Sequence, residues 1–276
     1  MQLENQNIAI IGGGESGVGA ALLAKKMGAK VFVSDGGQLQ DKYRSELQKQ
    51  GIDFEESSHD IKRFSNAKWV VKSPGIPSSA PIIQKLRELD LNIVSEIEFA
   101  SKFTDAITVC ITGSNGKTTT TMLLYHIFKK AGLNVGVAGN VGKSLARQVA
   151  ASKKDYFIIE LSSFQLDDLA HFKADISILL NITPDHLDRY ENDMNLYADS
   201  KMRITNNQTQ EDWFIYNADD PIINQKVASM NLPMKVASFS IKSPQEIGGY
   251  LKSEELIINI KEQLTMSIHD LALKGK

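Results

Sequence analysis

The chain has 276 residues, enough for roughly two domains. With 42% hydrophobic and 23% charged residues it is composed like a folded globular protein, which excludes a disordered or fibrous chain. Its 31 basic and 33 acidic residues leave a net charge of −2, so it has no general surface for a nucleic-acid backbone, and its one cysteine excludes an intrachain disulfide and points to a reducing compartment.

The N-terminus, MQLENQNIAIIGGG, has no basic segment followed by a long apolar run, and no apolar run nears the roughly 18 residues of a membrane span. A soluble cytoplasmic protein without membrane or nucleic-acid partners is expected. In chain order, IAII (8–11), KVFVS (30–34) and WVVKS (69–73) read as strands, rich in β-branched and aromatic residues. A helix is expected from Gly17 to Met27, and another in APIIQKLRELD, with Ile82, Ile83, Leu86 and Leu89 on one face. NIVS (92–95) adds a short strand.

A second alternating series opens at ITVCIT (107–112), followed by a helix from near Lys117 with Leu123, Leu124, Ile127 and Phe128 on a common stripe. Strands are expected at NVGVA (134–138), YFIIE (156–160), ADISILLN (174–181), DWFIY (212–216) and MKVASF (234–239). From Gly248 the pattern changes to YLKSEELIINI and EQLTMSI, read as antiparallel strands after a Gly-Gly turn. Strand–helix alternation predicts an α/β protein: a Rossmann-like parallel-sheet domain over 1–98, and a P-loop NTPase-like domain with a small antiparallel extension over 99–276.

Gly12, Gly14 and Gly17 form G-x-G-x-x-G between the first strand and first helix, where backbone N–H groups can face a phosphate. Asp35 ends the next strand, 18 residues after Gly17, a distance that suits a ribose hydroxyl or another nucleotide group. A plain strand-to-helix turn with a solvated Asp is the simpler alternative. The second loop is more specific. ITVCI runs into Thr112, Gly113, Ser114, Asn115, Gly116, Lys117, Thr118 and Thr119 and then a helix, ending in the Gly-Lys-Thr of a P-loop. Backbone donors there cradle phosphates, Lys117 reaches the terminal ones and Thr118 can supply a hydroxyl to Mg²⁺. Ile111 stands where the strict pattern has glycine. ATP binding is the expectation.

Beyond the loop, Glu160 ends an apolar strand and is a candidate for holding Mg²⁺. Pro184 turns the chain after ADISILLN and brings His186 to the sheet edge, where it serves either as a ligand or as a surface histidine. Met194, Tyr197, Lys201 and Ile204 follow helical spacing, so Lys201 either snorkels from an apolar stripe or points inward to an anionic or metal-rich site. Spacing leaves both open. Cys110, within an apolar strand, reads as core packing.

Taken together, GGGESG, SPGI (73–76), TGSNGKTT (112–119), GNVG (139–142), ELSSFQL (160–166), NITPDHLDRY (181–190), YADSK and NADDP (217–221) resemble the Mur ligases, the ATP-dependent amide-forming enzymes of peptidoglycan precursor synthesis. ELSSFQL together with a Rossmann-like first domain resembles the D-glutamate-adding member most. The resemblance implies that Gly14, Glu15, Ser16, Asp35 and Gly75 lie near UDP, and that Asn140, Ser162 and Gln165 line the path of UDP-N-acetylmuramoyl-L-alanine. It implies that Gly113 to Thr119 hold ATP, with Lys117, His186 and Lys201 catalytic. Thr118, Glu160, His186 and a carbamylated Lys201 would support Mg²⁺. An acyl phosphate formed from ATP would be attacked by D-glutamate, in a protein expected to be monomeric. The chain stops at LALKGK, where the family continues into a third domain that supplies adenine contacts and most of the D-glutamate site. A fragment that binds the UDP substrate but turns over poorly or not at all is expected. The rival readings are an NAD-dependent oxidoreductase built on the first glycine motif, a non-catalytic nucleotide-binding module, and another Mur-type or folylpolyglutamate-type ligase.

Overall fold

A computed structural model describes residues 2–271. Residues 272–276, on which the expectation of a continuing chain rests, lie outside the described residues. The elements run β1 (Asn7–Ile11), α1 (Glu15–Lys26), β2 (Lys30–Ser34), α2 (Asp41–Lys49), β3 (Asp53–Glu55), β4 (Trp69–Lys72), α3 (Pro81–Glu88), β5 (Ile93–Ser95) and α4 (Glu96–Ser101). They continue with β6 (Ile107–Thr112), α5 (Lys117–Lys130), β7 (Val135–Gly139), α6 (Leu145–Ala151), β8 (Tyr156–Glu160), α7 (Ser163–Asp167), β9 (Ile176–Leu179) and α8 (Met194–Met202). The last are β10 (Trp213–Asn217), α9 (Pro221–Ser229), β11 (Lys235–Ser240), β12 (Gly248–Lys252), β13 (Glu255–Asn259) and β14 (Gln263–Ser267). They divide into two compact units, Met1–Thr108 with Thr121–Phe172, and Val109–Thr120 with Lys173–Lys276.

In the first unit a five-stranded parallel sheet has the order β3-β2-β1-β4-β5. β1 is buried from Ile8 to Ile11, as expected of a central parallel strand covered on both faces. One face closes over Ala9, Ile11, Phe32, Phe64, Val70, Ile82, Ile83 and Leu86. Leu89 does not join them, because α3 ends at Glu88 and Leu89 leaves the helical face, half exposed. Chain order reverses between β1 and β4, and the crevice beyond such a reversal is where open α/β sheets bind ligands. The same unit holds the parallel pair β7 and β8.

The stripe expected on α5 is divided. Leu124 and Phe128 are half-buried, with the Phe128 ring edge-on to Tyr156 at 5.3 Å. Leu123 and Ile127 stand exposed, because one residue is about 100° of helix rotation and they fall on the next row.

In the second unit the strand order is β14-β13-β12-β11-β10-β9-β6. Pairing is parallel from β6 to β12 and antiparallel through β13 and β14, giving the mixed α/β sheet with its small antiparallel extension. Gly248 and Gly249 are not the turn but the first two residues of β12, and the chain reverses instead at Ser253 and Glu254, both left-handed at φ 48° and 66°. β6 and β9 pair in register, Thr112 opposite Leu179, so the loops that follow them leave the same sheet edge side by side. Cys110 is buried in β6. No helix among the described residues is long and apolar enough to cross a membrane.

Candidate functional site

The first glycine loop joins β1 to α1 at the reversal point of the parallel sheet. Gly17 packs so tightly that a Cβ there would lie 1.7 Å from the Gly12 carbonyl oxygen, so only glycine lets α1 start this close to β1. At Gly14 and Gly75 a Cβ would meet nothing within 4 Å. Asp35 Oδ2 accepts from Gly13 N at 2.6 Å and its Oδ1 from Gly37 N at 2.8 Å, so this carboxylate braces the loop. Ser73 Oγ donates to Gly12 O at 3.2 Å and brings the SPGI segment alongside. Glu15 turns away from the loop, its Oε1 accepting from Ser144 N at 3.3 Å and Arg147 Nε at 2.7 Å. Ser16 is half-buried in the first turn of α1.

Still in the first unit, Glu160 is buried and accepts from Asn140 Nδ2 at 2.9 Å, which brings two of the expected site residues together. Ser162 and Gln165 also meet, but as a reciprocal cap on α7. Ser162 Oγ accepts from Gln165 N at 3.3 Å while Gln165 Oε1 accepts from Ser162 N at 3.0 Å. Lys72 Nζ donates to Asp168 Oδ2 at 2.6 Å and Ile76 O at 2.7 Å, a buried ion pair that pins the SPGI turn. A cavity of about 420 Å³ lined by Asn7, Lys30, Asp53 and Arg63 opens at the N-terminal ends of the strands, the opposite edge from these loops.

In the second unit the loop Gly113–Lys117 is closed on itself. Gly113 has φ 154° and a Cβ there would press on Leu180 Cβ at 3.0 Å. Ser114 N and Asn115 N donate to Asn181 O and Oδ1, at 2.9 and 2.8 Å. Ser114 Oγ donates to Thr183 O at 2.8 Å and accepts from Thr183 N at 2.9 Å, and Asn115 Nδ2 donates to Thr183 Oγ1 at 3.0 Å. Lys117 Nζ folds over the loop to Gly113 O at 2.7 Å and Ser114 O at 2.9 Å. Thr118 and Thr119 follow, exposed, in the first turn of α5.

Lys201 comes to the same loop from α8. It is 2% exposed and its Nζ donates to Gly113 O at 2.9 Å, 4.6 Å from the centre of the Tyr197 ring. Lys201 therefore does not snorkel from an apolar stripe; its side chain is buried against the loop. Tyr197 is hydrogen-bonded to Ser114 at 3.1 Å. Burial holds its phenol above the usual range, the Ser114 bond opposes this and Asp185 adds to it, so the phenol stays protonated. His186 sits at the turn after β9 in the left-handed region (φ 49°, ψ 32°), 65% exposed, with Nε2 3.6 Å from Asp185 Oδ1.

Tyr197 lies on the stripe with Lys201, and Asn181, Thr183 and Asp220 lie within the motifs NITPDHLDRY and NADDP, but nothing in the sequence gives any of the four the task of holding this loop. Asp220 caps α9 through Ile222 N and Ile223 N and also accepts from Ile182 N at 2.8 Å, which fixes the turn that carries Thr183. Tyr197 had a signal, four residues before Lys201 on one helix face. Among the described residues no group of three or more His, Cys, Asp or Glu side chains is gathered to hold a metal.

Comparison with known proteins gives concordant results. Residues 111–271 match the family model of the Mur ligase middle domain, and residues 7–82 that of the MurD N-terminal domain. The UDP-N-acetylmuramoylalanine–D-glutamate ligase of Bacteroides fragilis is 52% identical over 271 residues, covering 98% of this chain and 61% of that protein. Its counterpart in Porphyromonas gingivalis is 52% identical over 272 residues, covering 98% and 60%. The chain thus spans about three-fifths of the length of the curated relatives it matches. The crystal structure of a murein peptide ligase from Psychrobacter arcticus superposes with a TM-score of 0.64 at 20% identity, covering 98% of this chain and 62% of that one, a likeness of fold. With the middle-domain match covering more than half of its residues, the chain belongs to the Mur ligase family.

Proposed function

We propose that this chain carries the substrate- and ATP-binding portions of a cytoplasmic, monomeric ligase that joins the L-alanyl carboxylate of UDP-N-acetylmuramoyl-L-alanine to D-glutamate, with formation of ADP. The observation that carries this reading is the convergence of two lysines, Lys117 and Lys201, on the carbonyl of Gly113 in a glycine loop that opens a helix. The Lys117 ammonium, held over the loop by the Gly113 and Ser114 carbonyls, and the N–H groups that open α5 attract a polyphosphate, while Lys201 stands where a carbamate would face the same loop. The proposed division at 98/99 falls between the two family matches, which leave residues 83–110 to either side of it.

In this reading the γ-phosphate of ATP replaces the Gly113 and Ser114 carbonyls as acceptor for Lys117. The substrate carboxylate attacks the γ-phosphorus, the bond to the β-phosphate oxygen breaks, and ADP leaves. The amine of D-glutamate then attacks the acyl carbon, loses a proton and expels phosphate. Lys117 lowers the barrier by offsetting charge as two anions approach. Mg²⁺, when bound, neutralises the phosphate oxygens. The donor set fits it on one condition. Thr118 offers a hydroxyl in the first turn of α5, whereas Lys201 as an ammonium would repel the ion, so carbamylation of Lys201 supplies the missing oxygens. Glu160 and His186 complete the proposed ligands. Mg²⁺ keeps several waters and leans on substrate phosphates, which suits a site without a protein-only cluster. Gly14, Ser16, Asp35 and Gly75, with the backbone N–H of Glu15, are assigned to UDP, and Asn140, Ser162 and Gln165 to the muramoyl arm.

The test is an amino-acid panel in an ADP-release assay with UDP-N-acetylmuramoyl-L-alanine, run on this chain and on the chain extended to the length of its relatives. D-glutamate-dependent release by the extended protein, and little from residues 1–276, is expected. Preference for another amino acid, or release that ignores the UDP substrate, refutes the assignment.

A further inference from the structure

Glu15 poses a problem for the first loop. It occupies the first turn of α1, where unpaired N–H groups and the helix dipole favour an anion, so its carboxylate is a natural competitor for the position a diphosphate would take. In the structure it is drawn aside. α6 packs against α1 so closely that a Cβ on Gly19 would lie 2.0 Å from Ser144 Oγ, which brings the start of α6 to the start of α1. Arg147, in the first turn of α6 and 13% exposed, donates from Nε to Glu15 Oε1 at 2.7 Å. The two remaining arms of the fork grip Glu46 of α2, Nη1 to Oε1 at 2.5 Å and Nη2 to Oε2 at 3.0 Å. A guanidinium fixed at two points has one direction left for its Nε–H, and Glu15 stands in that direction.

We propose that Arg147 is a positioning residue that holds the Glu15 carboxylate off the anion-binding turn of α1 and neutralises it, keeping the first glycine loop receptive to the diphosphate of a nucleotide. This rests on the reading of that loop as the UDP site. Without Arg147, Glu15 keeps only the long 3.3 Å bond from Ser144 N, and the first-turn N–H groups of its own helix compete for the carboxylate. The carboxylate folds back onto them and repels incoming phosphate. A nucleoside without phosphate is indifferent to that charge, so the effect separates from any loosening of the fold. Glu96, buried nearby and accepting from Ala146 N at 2.5 Å, faces the same helix start and does not reach the guanidinium fork.

Calorimetric titration of residues 1–276 with UDP and with uridine, at low salt, tests the assignment. R147Q is expected to weaken UDP binding about tenfold while uridine changes less than about twofold. E15Q added to R147Q is expected to restore UDP affinity to within about threefold of the parent, and E46Q, which loosens the fork that aims Nε–H at Glu15, to weaken it by about twofold to threefold, less than R147Q does. Should R147Q fail to fold, R147K, which keeps the charge but not the fork, carries the test with a loss of about threefold that E15Q again reverses. Equal losses for UDP and uridine, or no rescue by E15Q, overturn the proposal. UDP binding by the parent that R147Q leaves unchanged overturns it alone. Failure of the parent to bind UDP removes the reading of the loop and this proposal with it.

Discussion

The two glycine loops share a plan, a parallel strand running into a helix, and differ in the charge that surrounds them. Around the first, the nearest ionised groups are carboxylates already engaged, Asp35 on Gly13 and Gly37, and Glu15 on Ser144 and Arg147. Around the second, Lys117 and Lys201 both donate to Gly113 O, and polar side chains lace the loop to Asn181 and Thr183. Backbone geometry makes each loop able to take an anion, but the side chains set how much negative charge it prefers. In the reading proposed above, the first loop takes UDP and the second, with Lys201 carbamylated, takes ATP together with Mg²⁺.

The contrast is broken most severely at the second loop. Lys117→Ala is expected to lower ADP formation by about 10²–10³-fold in the extended protein while UDP binding to residues 1–276 stays unchanged. A loss of UDP binding would show that the loops do not act separately. Next in size is the acidic side of the first unit. Burial raises the Glu96 carboxyl to about 7 from 4.5, with the Ala146 N–H opposing and Glu15 reinforcing. The folded form thus holds a proton that the unfolded chain has released, so stability falls as pH rises from about 4.5 to 7, by about 3 kcal/mol in all. Glu96→Gln keeps an acceptor for Ala146 and removes the titration. Urea melts between pH 5 and 8 should show a falling midpoint for the parent and a flat one for the variant. Ser162→Ala, the smallest change, removes the α7 cap and is expected to cost about 1 kcal/mol in thermal stability. If the KM for the UDP substrate rises as well, Ser162 serves the ligand in addition to the helix.

Much of this arrangement is legible in the residues. Strands such as KVFVS and YFIIE are short, β-branched and apolar on both faces because each lies inside a parallel sheet, and the two glycine motifs announce the strand-to-helix turns. The α7 cap is written in Ser162 and Gln165, three apart. Other features are not local. Asp220 reads as the N-cap of α9, and nothing nearby in sequence reveals its second bond to Ile182. Arg147 and Glu46 meet only because Gly19 lets α6 approach α1. The Gly248–Gly249 pair looks like a turn, yet pairing with Ser238 and Phe239 draws it into β12 and moves the reversal to Ser253. Tertiary pairing overrides local preference there.

The glycines of the first unit also separate two kinds of evolutionary constraint. At Gly17 the chain's own backbone forbids any side chain, so intolerance there reports on folding whether or not a ligand exists. Gly14 and Gly75 have open space in front of them. A saturation library sorted first for soluble protein and then for nucleotide capture would therefore pass alanine at both positions through the first sort, and any residue eliminated only in the second marks where the ligand itself touches the backbone.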